Sequence, residues 1–173
     1  MIDTATDTVS HTLQVGLHPH ALVVAPDGSK VYVGQNDGKF SIITTRTKSV
    51  TSIPAGGDGI MYDMAITADG RRLYLAMGLV GFRVVDTDSH RVSTLRTEGH
   101  PMGLALTPDG RFLYVNYQNG GPGGPWGHDA VGRVDASTGA FLGSTTGMPH
   151  VGQTIVASPD GSQSLGERHG RLL

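Results

Sequence analysis

Four of the chain's eight histidines fall into short related phrases that also carry an aspartate and a tyrosine. They read His18-Pro19-His20-Ala21, Ile60-Met61-Tyr62-Asp63, His100-Pro101-Met102-Gly103 and, with a shift of register, Pro149-His150-Val151-Gly152. Imidazole nitrogens beside a carboxylate form a donor set that suits zinc and related ions. In an extended segment His18 and His20 project to the same side, because side chains alternate with period two. The competing reading is packing: the rings cover a surface and bond backbone, and equivalent positions in alternate phrases sit too far apart to share an ion. On that reading neither a metal nor a cofactor is expected, and His18, His20, Tyr62, Asp63, His100 and His150 are candidates for contact with a ligand.

Other chemistries are thinly represented. There is no cysteine, which excludes disulfides, thiolate zinc sites and covalently attached c-type haem. No G-x-S-x-G elbow occurs, and no serine stands beside a plausible histidine partner. The glycine-rich stretch 119–129 leads into a strand rather than a helix N-terminus, so it lacks the aligned N–H groups that hold phosphate. Within it, Trp126 and His128 are candidates for partner contact, the alternative being that Trp126 folds back over a sheet edge. His11, His90 and His169 fall on corners or edges. With 13 Lys+Arg against 15 Asp+Glu, the chain gives no electrostatic reason to expect nucleic acid or an anionic membrane. No run approaches the roughly 18 apolar residues of a spanning helix, and Met1-Ile2-Asp3-Thr4 does not read as a secretion leader.

The phrases recur because the elements that position them recur. A turn triplet appears four times: Pro26-Asp27-Gly28, Ala68-Asp69-Gly70, Pro108-Asp109-Gly110 and Pro159-Asp160-Gly161, at spacings of 42, 40 and 51 residues. Aligned on these turns, His18 is level with His100, and His20 with Tyr62 and Met102. Before the first turn, Ala21-Leu22-Val23-Val24-Ala25 is too short for a helix and rich in β-branched residues, the mark of a strand covered on both faces. After it comes Lys30-Val31-Tyr32-Val33-Gly34, matched by Arg72-Leu73-Tyr74-Leu75-Ala76 and Phe112-Leu113-Tyr114-Val115-Asn116. Third strands are expected at Phe40–Ile43, Phe82–Val85 and Val131–Val134. Each ends in a corner where Asp3, Asp86 and Asp135 recur and Thr44 once replaces them. Fourth strands are expected at Val9–Leu13, Val50–Ile53, Val92–Leu95 and Phe141–Thr145. An aspartate repeated at every corner reads as a turn cap bonding local backbone rather than as a catalytic group. A period of about 40 residues with four strands per unit is that of a β-propeller blade.

The turn triplet, the x-Val/Leu-Tyr-Val/Leu strand and the Asp-Thr corner, taken together over nearly the whole chain, are similar to the YVTN β-propeller repeat of YncE-like and surface-layer-type proteins. WD40 repeats fit less well, since no Trp-Asp dipeptide occurs, and the Gly-Gly doublet of kelch repeats does not recur in place. The fold expected is all-β, a propeller segment of four-stranded antiparallel blades. Residues 1–17 are read as the end of a partial blade; 18–58, 59–98 and 99–147 as full blades, the last with the insertion 119–129; and 148–173 as an incomplete blade. Where a Leu-Tyr-Val strand should follow Gly161, only Leu165 resembles it, so the chain is read as part of a larger propeller whose remaining blades are its first partners. Unclosed, it should be poorly stable or self-associating. The resemblance implies a periplasmic or cell-surface location and a non-catalytic scaffold or binding module for a protein or small ligand. It also implies an alternative, because lactonase-type propellers and the propeller domain of haem-containing nitrite reductases have related repeats. A lactonase-like site at the channel mouth would need a rim glutamate, for which Glu98 is the nearest candidate.

Overall fold

The computed structural model describes residues 1–95, 99–119, 129–148, 152–160, 164–168 and 171–172. Among them the chain is all-β: a row of small antiparallel sheets, each built in meander order. The first sheet is a hairpin of β1 (Ile2–Asp3) and β2 (Thr8–Val9). Three four-stranded sheets follow: β3 (Ala21–Val24) to β6 (Val50–Pro54) through β4 (Lys30–Gly34) and β5 (Lys39–Thr44); β7 (Asp63–Ile66) to β10 (Val92–Leu95) through β8 (Arg72–Ala76) and β9 (Phe82–Asp86); and β11 (His100–Leu106) to β14 (Phe141–Met148) through β12 (Phe112–Gln118) and β13 (Asp129–Asp135). The last is β15 (Ile155–Ala157), β16 (Ser164–Arg168) and β17 (Arg171–Leu172). The first strands of successive sheets lie side by side, β3 on β7, β7 on β11 and β11 on β15. This is a segment of a β-propeller, and each full sheet is a blade. No described helix is long and apolar enough to cross a membrane.

The turn triplets form hairpins for local reasons. Gly28, Gly70 and Gly110 sit at φ +69°, +72° and +68°, a region open to glycine without a Cβ penalty. The preceding aspartate fixes each turn: Asp27 accepts the Ser29 N–H at 2.9 Å, and Asp69 and Asp109 accept those of Arg71 and Arg111 at 3.0 Å. The corner aspartates cap as their recurrence suggests. Asp86 accepts the Ser89 N–H at 2.8 Å, and Asp135 accepts those of Ser137 and Thr138 at 2.9 and 2.8 Å. The residue after each corner position then ties back to the turn of its own blade, through Thr45 N–H to Ser29, Thr87 N–H to Arg71 and Ala136 N–H to Arg111.

Period-two alternation divides every blade into two apolar faces. The trailing face of the first blade, with Tyr32, Phe40 and Ile42, packs on Met64, Leu73, Leu75 and Val85 from the leading face of the second. The second blade repeats this with Ala65, Tyr74 and Phe82 against Leu104, Leu113, Val115 and Val134 of the third. The repeated tyrosines also reach the next blade's corner. Tyr74 donates its hydroxyl to the Ala136 carbonyl at 2.8 Å, and Tyr32 lies beside Thr87 and Asp88.

Three expectations are corrected. The last copy does form a second strand, since β16 pairs with β15 from Ile155↔Gly166 to Ala157↔Ser164. A ladder is made by backbone groups, which side-chain divergence leaves intact. The first fourth strand is only Thr8–Val9, not Val9–Leu13, in a described sheet of two strands. The third blade's strands flank the insertion more closely than expected, with β12 reaching Gln118 and β13 starting at Asp129.

The caps set the acid response. Hydrogen bonds to the charged form lower the carboxyl pKa of Asp27, Asp69, Asp86 and Asp109, and side-chain bonds from Ser137 with bonds from Thr138 bring Asp135 to about 2. A carboxyl lowered on folding stabilises fully above its ordinary value, and that contribution is lost as the pH falls toward the folded value. Unfolding by circular dichroism should therefore show stability falling from about pH 4 to about pH 2, and Asp135→Asn should flatten that slope. Separately, Tyr74→Phe should cost about 1–2 kcal/mol in urea unfolding, because the Ala136 carbonyl loses its buried donor.

Candidate functional site

The segments that approach the first strand of each blade gather at one end of the sheets. His20 donates its backbone N–H to Gly34 at 2.9 Å, and Tyr62 donates its own to Ala76 at 2.8 Å, which clamps both segments to the returning strand. The two rings meet edge to face across the joint between blades, with centroids 5.8 Å apart and planes at 72°. The Tyr62 ring lies over Gly78, in the short 3-10 turn Gly78–Val80. A Cβ there would come within 2.6 Å of Tyr62 Cε2, so the glycine is what admits the ring. His20 is exposed and Tyr62 half-buried.

His18 and His100, level in the repeat, differ in backbone. His18 sits at φ +46° in a bend before β3, whereas His100 begins β11 and pairs with Gln118. The expectation that His18 and His20 share one side of an extended segment fails at that bend, since alternation holds only for extended residues. Among the described residues no three His, Asp or Glu side chains converge as metal ligands. His150, Trp126, His128, Glu98 and His169 lie outside the described residues.

Asp63 begins β7 and is half-buried. Its Oδ1 accepts the Met64 N–H at 2.8 Å, and its Oδ2 accepts the Leu104 N–H at 2.8 Å from the neighbouring blade. Loss of water around it raises the carboxyl pKa, against the pull of those two N–H groups. Both oxygens are thus held by backbone donors, one on each side of a blade joint.

Two further polar residues at this end escape a reading by motif. Arg83, only 8% exposed, donates from Nη2 to the Gly56 carbonyl and from Nη1 to the Phe82 carbonyl, each at 3.2 Å. Burial lowers its pKa. It stands where the first blade carries Ser41, and it holds the linker between the first two blades. Asn116 is fully buried where the other blades have Gly34 and Ala76, and it donates from Nδ2 to the carbonyl of Gly152, in the segment that leads into β15. Each departs in type from its counterparts in the other blades, and its partner lies far along the chain.

Comparison with known proteins agrees with the fold. No family model matches the chain. Over 111 residues, 60% of this chain and 28% of the other, it is 31% identical to a seven-bladed beta-propeller protein of Mycobacterium tuberculosis. Over 149 residues, 84% of this chain and 40% of the other, it is 31% identical to an uncharacterized WD repeat-containing protein of Synechocystis. The chain thus spans less than half the length of these relatives. Among solved structures, hydrazine synthase of Kuenenia stuttgartiensis superposes with a TM-score of 0.83 at 22% identity, covering 95% of this chain and 47% of that one. At that identity the likeness speaks for the fold alone.

Asp63→Ala should leave the Leu104 N–H without its acceptor at a partly buried joint and cost about 1–2 kcal/mol in urea unfolding. The pH dependence of Asp63 runs opposite to that of the corner aspartates. A carboxyl raised on folding opposes folding least below its ordinary value and most once the pH has climbed through the raised one. Relative to Asp63→Asn, the parent chain should therefore lose ground as the pH rises from about 4 toward neutrality, read from paired urea midpoints.

Proposed function

We propose that this chain belongs to a YVTN-type propeller that works as a non-catalytic scaffold of the periplasm or cell surface. It presents its approach-segment rim to a protein or small ligand. The observation that carries the reading is the commitment of Asp63. Asp63, the acid among the candidate rim residues, has both oxygens on backbone N–H groups, and so serves as a joint. Among the described candidate residues His18 and His20 are exposed and Tyr62 and His100 are half-buried, an aromatic and imidazole surface suited to contact. The compartment comes from the repeat's resemblance and is tested by fractionating cells that express the protein.

The binding role is tested by NMR spectra resolved for histidine and tyrosine side chains, recorded against a small-molecule fragment library with gluconolactone added as a substrate probe. Shifts clustering on His18, His20 and Tyr62, lost in His20→Ala and without lactone turnover, are the expected outcome. Lactone hydrolysis abolished by Asp63→Asn or His20→Ala would replace the scaffold with an enzyme. Shifts scattered away from this rim would overturn the assignment of the site.

A further inference from the structure

Six Asp-Gly steps occur along the chain, and five of them lie wholly within the described residues: Asp27-Gly28, Asp37-Gly38, Asp58-Gly59, Asp69-Gly70 and Asp109-Gly110. Such a step is open to a backbone rearrangement, because glycine sets no side chain in front of its own nitrogen. That nitrogen can reach the aspartate side chain and close a five-membered ring. Two groups must be free for this, the glycine N–H and the aspartate carboxyl.

In three of the five steps the fold holds both groups. Gly28, Gly70 and Gly110 donate their N–H groups to the carbonyls of Ala25, Thr67 and Thr107, each at 2.8 Å. Asp27, Asp69 and Asp109 keep Oδ1 on the N–H groups of Ser29, Arg71 and Arg111. Those bonds lower the carboxyl pKa, and a charged carboxylate is the poorer electrophile. In the fourth step the Gly38 N–H donates to the Gly59 carbonyl at 3.3 Å, and the Asp37 carboxylate lies 3.7 Å from Lys39 Nζ.

Asp58-Gly59 is held at neither group. It lies in the linker between the first two blades, and Asp58 is exposed. Among the described residues neither its carboxylate nor the Gly59 N–H has a hydrogen-bond partner. The linker is anchored through its carbonyls instead. Gly56 accepts from Arg83 Nη2 at 3.2 Å, and Gly59 accepts from Gly38.

We propose that Asp58 is a site of spontaneous backbone modification, converting to isoaspartate through a succinimide while the turn aspartates stay intact. The Gly59 nitrogen bonds to Cγ of the protonated Asp58 carboxyl, and its proton leaves with the carboxyl hydroxyl as water. A second water then opens the ring. Attack at the side-chain carbonyl restores aspartate. Attack at the main-chain carbonyl leaves the backbone running through Cβ, with one more methylene and a free α-carboxylate. One water leaves and one enters, so the step needs no enzyme and no oxidant. The added methylene falls between the anchors at Gly56 and Gly59, and it loosens the joint that they hold.

The full chain is aged at mildly acidic pH in water enriched in heavy oxygen, both folded and in urea, and then digested. Electron-transfer fragmentation locates isoaspartate, and the heavy oxygen marks each ring opening. In the folded chain Asp27, Asp69 and Asp109 should convert about tenfold or more slowly than Asp58, since each step must first break two hydrogen bonds. In urea, where no step keeps its bonds, the rates should converge. Asp58→Glu, at an exposed position, should keep the circular dichroism of the parent and take up no label there, because its ring is larger and closes more slowly. The aged parent should also unfold at lower urea than aged Asp58→Glu. Absence of isoaspartate and label at Asp58 overturns the proposal. So do equal rates at the turn aspartates of the folded chain, or a contrast that persists in urea and so belongs to the flanking residues. A midpoint that ageing leaves unchanged overturns the loosening of the joint.

Discussion

Each sheet here is only a few residues deep and apolar on both sides, so none can be stable until a neighbour covers each face. The rest of the structure depends on that constraint. Leading-face positions meet trailing-face positions across each internal joint, so Tyr32 and Phe40 share one core with Met64 and Leu75, and Tyr74 and Phe82 share the next with Leu104 and Val115. Burial of this kind is worth roughly 25 cal/mol per Å² of apolar surface, and it is available only when neighbouring blades are correctly spaced. Leu22, which matches Met64 in the turn alignment, is 63% exposed where Met64 is 6%.

Spacing between blades is set by a second, polar layer. In each blade the residue after the corner position bonds the turn that opens the returning strand, which holds the outer and inner strands at one distance. The tyrosine of that returning strand then reaches the corner of the next blade, as Tyr74 does to Ala136. A turn, a corner and a tyrosine therefore form one mechanical unit spanning two blades. This explains why those three features are the ones that recur while the loops between them vary.

What was legible in the sequence follows from range. Turn triplets, corner caps and strand periodicity are local, with donors and acceptors two or three residues apart, so spacing alone places them. The joints are not local. Asp63 and Leu104 are 41 residues apart, and Tyr74 and Ala136 are 62 apart, so only the folded arc shows that these groups are partners. β16 went unseen for another reason. Its side chains depart from the pattern, while its pairing with β15 needs only backbone donors and acceptors.

A repeat also limits what a rim can do chemically. Equivalent positions are spread around an axis, so side chains meet in neighbouring pairs, as His20 and Tyr62 do. Chemistry that needs several groups in one place must then come from departures from the repeat. The departure at the start of the first strand is instructive, because Ala21, Asp63 and Gly103 share that position. In the second blade Asp63 bridges the joint with its carboxylate. In the third, Gly103 has no side chain, and a Cβ there would come within 2.4 Å of the Gln153 carbonyl, so the backbones themselves close the gap. One position thus has two solutions, a long polar arm and an absent side chain, and each adjusts the distance between inner strands. The same need for a joint accounts for both residues, so the aspartate at this position of the second blade follows from blade spacing.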